Sequence, residues 1–172
     1  MVELKGVIPA LTTPFGEDGS LDLDGFGELI DIVIADGVHG ILAGGCTGES
    51  WAMNESETGA MLAAAVKAAG RVPVVAGCGA MSTGQAVAQV RQAEAAGCDA
   101  AMVQPPWYVM PGLDEVFDYY KGIIAATELP IMVYNNPRRT GILLTADFMD
   151  RLVDDPRIVA IKESSKDWMV LS

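Results

Sequence analysis

The chain has 172 residues, 51% hydrophobic and 20% charged, with a formal net charge of −12. That is one domain's length with apolar residues enough for a sizeable core, and an isoelectric point near 4.3 argues against nucleic-acid and anionic membrane partners. Although the mean hydropathy is +0.30, no apolar run approaches the roughly 18 residues that span a bilayer. The opening residues Met1-Val2-Glu3-Leu4-Lys5-Gly6 lack the basic-then-apolar build of a signal peptide. A cytoplasmic protein with a single domain over residues 1–172 is expected.

The three cysteines, Cys46, Cys78 and Cys98, form no C-x-x-C pair and are odd in number, which reads as free thiols in a reducing compartment. His39 is the only histidine. A Ser-His-Asp hydrolase or a multi-histidine metal site is therefore not expected, and His39 reads as a residue at a helix-to-strand junction.

In chain order, strands and helices alternate at a spacing of about 25–35 residues, the size of a βαβ unit. Residues 7–12 form a first apolar strand closed by Pro14, and 24–35 a helix with Phe26, Leu29, Ile30 and Val33 at three-and-four spacing, ended by Gly37. Residues 40–43 are a second strand opening into Gly44-Gly45-Cys46-Thr47-Gly48-Glu49-Ser50. An alanine-rich helix over 55–69 has Asn54 as its cap. A strand over 72–77, a helix over 82–96, a strand over 100–104 and a helix over 113–127 follow. The fifth strand, 130–134, leads into Asn135-Asn136-Pro137-Arg138-Arg139-Thr140-Gly141. A helix over 145–153, a sixth strand over 158–162 and the opening of a sixth helix at 167–172 complete the pattern.

Six strands alternating with helices predict an α/β fold with a parallel sheet buried on both faces. An open doubly wound sheet and a (β/α)₈ barrel both fit that pattern. The turn after the first strand, Thr12-Thr13-Pro14-Phe15-Gly16, has no G-x-G-x-x-G, and the Gly44–Ser50 segment lacks the lysine of a P-loop. Neither nucleotide fold is favoured.

In parallel α/β folds the functional loops lie at the carboxyl ends of the strands, and the unusual chemistry of this chain gathers there. Lys162 closes the apolar run Ile158-Val159-Ala160-Ile161. Alternation places Ile158, Ala160 and Lys162 on one face, and Met132 with Tyr134 on one face of the preceding strand. A lysine aimed inward is costly unless paired or deprotonated, so Lys162 either reaches back to water or has a chemical task. A phenol beside an enclosed amine fits Schiff-base chemistry, in which the amine attacks a carbonyl and the hydroxyl moves protons. Taken singly, Tyr134 also reads as a core aromatic, Thr47 as a turn hydroxyl and Arg139 as a surface base.

Together, Gly45-Cys46-Thr47-Gly48-Glu49, Tyr134-Asn135-Asn136-Pro137-Arg138-Arg139-Thr140-Gly141 and Ile161-Lys162-Glu163 resemble the signatures of the dihydrodipicolinate synthase / N-acetylneuraminate lyase family. The resemblance is colinear over essentially the whole chain. It implies a (β/α)₈ TIM barrel of which this chain supplies the first six β/α units, so that strands seven and eight, the glycine-rich loop after the seventh strand and the C-terminal helices lie outside it. It also implies that Lys162 forms an imine with a 2-oxo acid and that Tyr134 transfers protons there. Thr47, with the backbone of Gly45, Cys46 and Gly48, would hold the 2-oxo acid's carboxylate, and backbone N–H groups in such a loop suit an anion. Arg139 would meet the carboxylate of a second substrate, and Tyr108 would reach into a neighbouring subunit's site and complete a proton relay there.

At two positions the sequence departs from the synthases. Cys46 stands where a second threonine is common, and a thiol is the weaker hydrogen-bonding group. Asn136 stands where a small apolar residue is usual. The expected activity is a Schiff-base lyase or synthase of the class I aldolase type, acting on pyruvate or another 2-oxo acid and an aldehyde. It is most like 4-hydroxy-tetrahydrodipicolinate synthase, with an N-acetylneuraminate lyase-like or 2-keto-3-deoxy sugar acid aldolase or dehydratase activity as the alternative. The covalent imine requires no metal and no dissociable cofactor, and the resemblance favours a homotetramer built as a dimer of dimers. From a different class, a truncated barrel could serve as a non-catalytic binding or structural partner.

Overall fold

A computed structural model of the chain describes residues 2–166. The sixth helix predicted at 167–172 lies outside the described residues. The chain divides into two compact units, Met1–Gly77 with Gln92–Ala101, and Cys78–Arg91 with Met102–Ser172.

The first unit carries helix α1 (Leu23–Ala35), strand β1 (Ile41–Ala43), a single 3-10 turn at Ser50–Ala52 and helix α2 (Glu55–Ala69), and leads into strand β2 (Val74–Cys78). Each helix starts where a side chain satisfies an otherwise orphaned N–H. Asp22 accepts from the Gly25 N–H at 2.9 Å. Asn54 and Glu57 form a reciprocal capping box, each side chain accepting from the other's backbone N–H at 3.0 and 2.8 Å. Phe26 and Ile30 of α1 and Met61, Leu62 and Ala65 of α2 are buried, and the two helices pack on each other. β1 and β2 pair in parallel with Ile41 opposite Val74 and Ala43 opposite Ala76. Burial of β1 on all three residues is the continuous apolar pattern of a parallel strand covered on both faces.

The apolar run 7–12 does not form the strand expected of it. It lies beside β1 through one parallel bridge, Ala10 to Leu42, made by Leu42 N–H to Pro9 O and Leu11 N–H to Leu42 O, both 2.9 Å. Extending that ladder towards the N-terminus needs an N–H at residue 9, and Pro9 has none. Instead the His39 N–H donates to Val7 O at 2.8 Å, and His39 Nδ1 accepts from the Val7 N–H at 3.1 Å. His39 is thus the junction residue its position predicts.

Helix α3 (Thr83–Ala96) and strand β3 (Ala100–Val103) contribute residues to both units. The second unit continues with helix α4 (Leu113–Ile124), strand β4 (Ile131–Asn135), the four-residue helix α5 (Pro137–Thr140), helix α6 (Ala146–Leu152) and strand β5 (Ile158–Glu163). The strand order follows the sequence, β1-β2-β3-β4-β5. On α4, Tyr119 and Tyr120 are buried with their hydroxyls engaged, Tyr120 donating to Val103 O at 2.9 Å and Tyr119 accepting from the Ala80 N–H at 3.2 Å. Burial pushes Tyr119 up to about 12 and Tyr120 well above the usual tyrosine range.

The turn into β5 is braced by Arg157, which donates through Nη1 to Ile124 O at 2.6 Å and Thr127 O at 2.9 Å, while its carbonyl accepts from the Ile131 N–H at 2.7 Å. At Asp155 burial works against ionisation, but hydrogen bonds from Arg157 and Lys121 outweigh it and hold the carboxyl below its ordinary value. Removing the α2 cap tests the local account. Asn54→Ala is expected to lower unfolding free energy by about 1 kcal/mol in chemical denaturation, with the denaturant slope unchanged.

Candidate active site

β4 is fully buried, whereas β5, last in the strand order, is half-buried along its length. The two strands pair in parallel with Ile131 opposite Ile158, then Met132 opposite Ala160 and Tyr134 opposite Lys162. Val159 is skipped in this register, as in a β-bulge, where one strand carries an extra residue. The skip decides the site. Uninterrupted pairing from Ile131–Ile158 would set Tyr134 beside Ile161 and turn Lys162 to the other face. With it, Lys162 Nζ stands 4.6 Å from the centroid of the Tyr134 ring, within range of a cation–π contact. Strict alternation, which groups Ile158 with Ala160 and Lys162, is interrupted at this point, while the grouping of Met132 with Tyr134 and of Ala160 with Lys162 holds.

The carboxyl end of β4 carries two buried asparagines. Asn135, 0% exposed, donates through Nδ2 to Leu144 O at 3.1 Å and to the Glu163 carboxylate at 2.7 Å. Its Oδ1 accepts from the Leu144 N–H at 3.1 Å. It therefore ties the segment after α5 to the residue following Lys162. Asn136 donates through Nδ2 to the Tyr134 hydroxyl oxygen at 2.7 Å. Its carbonyl accepts from the N–H groups of Arg139 and Thr140, at 2.9 and 3.1 Å, and from the Thr140 hydroxyl at 3.1 Å. Pro137 at the first helical position and Gly141 with φ +75° at the end make α5 a tight, prefixed turn. The sequence shows this segment only as a loop.

Burial works against ionisation of Glu163, but hydrogen bonds from the Ser165 hydroxyl and N–H, the Asn135 amide and the Ser164 N–H outweigh it, and the carboxyl lies below its ordinary value near 4.5. Arg138, Arg139 and Lys166, with Asn136 and Ser164, line an open cleft of about 480 Å³. This concentrates positive charge in a chain whose net charge is −12. Lys166 has φ +68°, a left-handed conformation that lysine seldom takes. Tyr108 is 84% exposed on a loop where it and Met110 have φ of +70° and +43°.

In the first unit, the segment after β1 turns at once, with the Glu49 N–H donating to Cys46 O at 3.3 Å and the Ser50 N–H to Gly45 O at 3.4 Å. Thr47 is exposed at the tip, Cys46 half-buried, and Gly45 and Gly48 buried. The Thr13 hydroxyl anchors the turn by donating to Gly48 O at 2.7 Å. A β-carbon at Gly48 would meet Leu11 O at 2.9 Å, and Gly44 has φ +67°, so both glycines are required by space or conformation. Among the described residues the three cysteines form no disulfide. Cys78 and Cys98 are buried, and burial, with the neighbouring Asp99 carboxylate, pushes Cys98 up to about 11. Among the described residues no group of three His, Cys, Asp or Glu is placed to hold a metal ion.

Of the residues singled out in the sequence, Lys162, Tyr134, Arg139 and Tyr108 belong to the second unit, where the first two are in contact. Gly45, Cys46, Thr47 and Gly48 belong to the first. The fixing roles of Asn135 and Glu163, and the contact of Asn136 with the Tyr134 hydroxyl, were not read from the sequence. A visible signal was the Asn-Asn pair directly after a buried strand, since buried amides are hydrogen-bonded.

A family model, the Dihydrodipicolinate synthetase family, matches residues 3–171, and the chain belongs to this family. Among curated relatives, a 4-hydroxy-tetrahydrodipicolinate synthase of Phenylobacterium zucineum is 43% identical over 164 residues, covering 95% of this chain and 55% of the relative. One of Xanthomonas axonopodis pv. citri is 42% identical, covering 95% and 54%. The chain thus spans about half the length of the curated relatives it matches. Its fold is that of a dihydrodipicolinate synthase of Bacillus anthracis, with a TM-score of 0.96 at 32% identity over 99% of this chain and 59% of the other. A chloride-inhibited dihydrodipicolinate synthase of Acinetobacter baumannii, solved in complex with pyruvate, gives 0.95 at 35% identity over 98% and 58%. The α/β architecture is accordingly part of a TIM barrel.

Two outcomes follow from this geometry. Asn135→Leu leaves the Leu144 backbone and the Glu163 carboxylate without their buried partner and is expected to cost about 2–4 kcal/mol in urea unfolding. For Glu163, a lowered folded pKa means that its stabilisation is present above about 4.5 and lost as the pH falls through the lower folded value. Glu163→Gln is therefore expected to flatten the fall of the thermal midpoint as the pH drops below about 4.5.

Proposed function

We propose that the polypeptide carrying this chain condenses pyruvate with aspartate semialdehyde, as a 4-hydroxy-tetrahydrodipicolinate synthase. The observation that carries the reading is the amine–phenol pair, Lys162 Nζ 4.6 Å from the Tyr134 ring, fixed by the β4–β5 register. Its support is the printed function of the relatives at about 40% identity and the pyruvate complex of a structural neighbour.

In this reading the deprotonated Lys162 amine attacks C2 of pyruvate, the carbinolamine loses water, and an imine forms. Removal of a C3 proton leaves an enamine whose carbon attacks the aldehyde. The alkoxide is protonated, the amino group of the semialdehyde then attacks the imine carbon, and the bond from that carbon to the Lys162 nitrogen breaks, which closes the ring and returns the free lysine. The iminium is the electron sink, so the chemistry calls for neither metal nor dissociable cofactor. Tyr134 moves the protons at the imine. Thr47 and the backbone of its turn hold the pyruvate carboxylate, and Arg139 pairs with the carboxylate of the aldehyde. Tyr108 serves the site of a second copy in a homotetramer built as a dimer of dimers, a role supported by its exposure. A structural neighbour is a monomeric synthase variant, so sedimentation of this protein tests that arrangement. Three cysteines that form no disulfide support a cytoplasmic setting.

A coupled assay with pyruvate and a panel of aldehydes tests the reading. Consumption of aspartate semialdehyde is expected, with Lys162→Ala lowering turnover by at least about 10³-fold. Arg139→Ala is expected to raise KM for the aldehyde about tenfold or more with the pyruvate dependence preserved. Cleavage of N-acetylneuraminate or a 2-keto-3-deoxy acid in place of condensation would move the assignment to the lyase or sugar-acid branch.

A further inference from the structure

The Tyr134 hydroxyl is buried, with its residue only 6% exposed, and Asn136, 8% exposed, points an amide N–H at its oxygen from 2.7 Å. We infer that Asn136 is the positioning residue of Tyr134: its amide fixes the phenol oxygen as an acceptor and so sets where the tyrosine O–H is presented for proton transfer. The inference rests on the imine reading of Lys162 for its functional consequence, but the contact itself does not.

Three features make this a held device. First, the Asn136 carbonyl is fixed by three donors from α5, the N–H groups of Arg139 and Thr140 and the Thr140 hydroxyl. The backbone from which the amide projects is therefore tied to its own helix turn. Second, the donor and its acceptor are only two residues apart, on a strand end and the cap that follows it, so the contact forms with the local fold. Third, the ring so anchored is the one 4.6 Å from Lys162 Nζ, which makes the amide a control on the relation of phenol to amine.

A buried amide donating to a phenol oxygen occupies one lone pair and turns the O–H away from itself. It also stabilises negative charge on that oxygen when the proton leaves, without any group on the protein having to reorganise. An aliphatic side chain at 136 would fill space and do neither. Asn136 does not itself touch the reacting atoms in this account; it acts through Tyr134.

The test uses the polypeptide carrying this chain, with pyruvate as probe, and compares the parent with Asn136→Leu, Tyr134→Phe and the double variant. Three quantities are read: the borohydride-reduced adduct on the Lys162 peptide, solvent deuterium exchange into the pyruvate methyl group, and the ¹³Cζ resonance of Tyr134, assigned by its loss in Tyr134→Phe. Asn136→Leu is expected to move the Tyr134 resonance, keep the adduct and slow exchange about tenfold. In the Tyr134→Phe background the same substitution is expected to change exchange by less than about twofold, since the partner is already gone. An unmoved Tyr134 resonance, or an undiminished tenfold loss in the Phe background, overturns the inference. If Asn136→Leu does not fold, Asn136→Asp preserves shape and removes the donor. The same loss is then expected, and a parental exchange rate overturns the inference. A parent that gives no adduct contradicts the imine reading instead, and the Tyr134 resonance then decides the contact without turnover.

Discussion

One residue out of step in a strand pair holds the candidate site together. Because Val159 is skipped between Ile158 and Ala160, Lys162 pairs with Tyr134 and its amine reaches the tyrosine ring. Side-chain direction in a strand has period two, so a slip by one residue would send the lysine to the opposite face. The pieces around the strands serve that register. The Arg157 carbonyl takes the Ile131 N–H at the start of the ladder, the Asn135 carbonyl takes the Ser164 N–H at its end, and the Asn135 side chain grips Glu163 beside Lys162.

The two asparagines at the end of β4 hold different partners. Asn135 has no exposure and spends its amide on Leu144 and Glu163, so it secures backbone. Asn136 places its carbonyl on α5 and its side-chain amide on the Tyr134 phenol, linking backbone order to that hydroxyl. The guanidinium groups of Arg138 and Arg139 and the Lys166 ammonium edge the adjoining cleft. A local field of that sign is what an anionic substrate needs in an otherwise acidic chain.

Much of this was legible in the sequence because it depended on local pattern. Asn54 as the cap of α2 followed from its place just before an alanine-rich helix, though its reciprocal partner Glu57 did not, and the pairing of Lys162 with Tyr134 followed from two apolar strands ending in chemically unusual residues. The three short signatures named the family that comparison then established. What escaped depended on a missing or extra group in a partner strand. Pro9 lacks the N–H that would have extended the run 7–12 beyond a single bridge. The skip at Val159 leaves no mark in a string of β-branched residues, since valine fits either register. Asn136 was visible as a departure from the family, but its contact needs the fold of α5, which a four-residue helix between Pro137 and Gly141 does not announce. Half-burial of β5, against the full burial expected of so apolar a run, reflects its place last in the strand order.

The central claim is that Lys162 is the nucleophile towards a 2-oxo acid, and the most direct measurement is mass spectrometry after reduction of the folded protein with borohydride in the presence of pyruvate. The account predicts one covalent three-carbon adduct per chain, mapped to the peptide containing Lys162 and absent without pyruvate. A folded protein that consumes pyruvate and aldehyde while Lys162 remains unmodified, or that carries the adduct on another lysine, would contradict it.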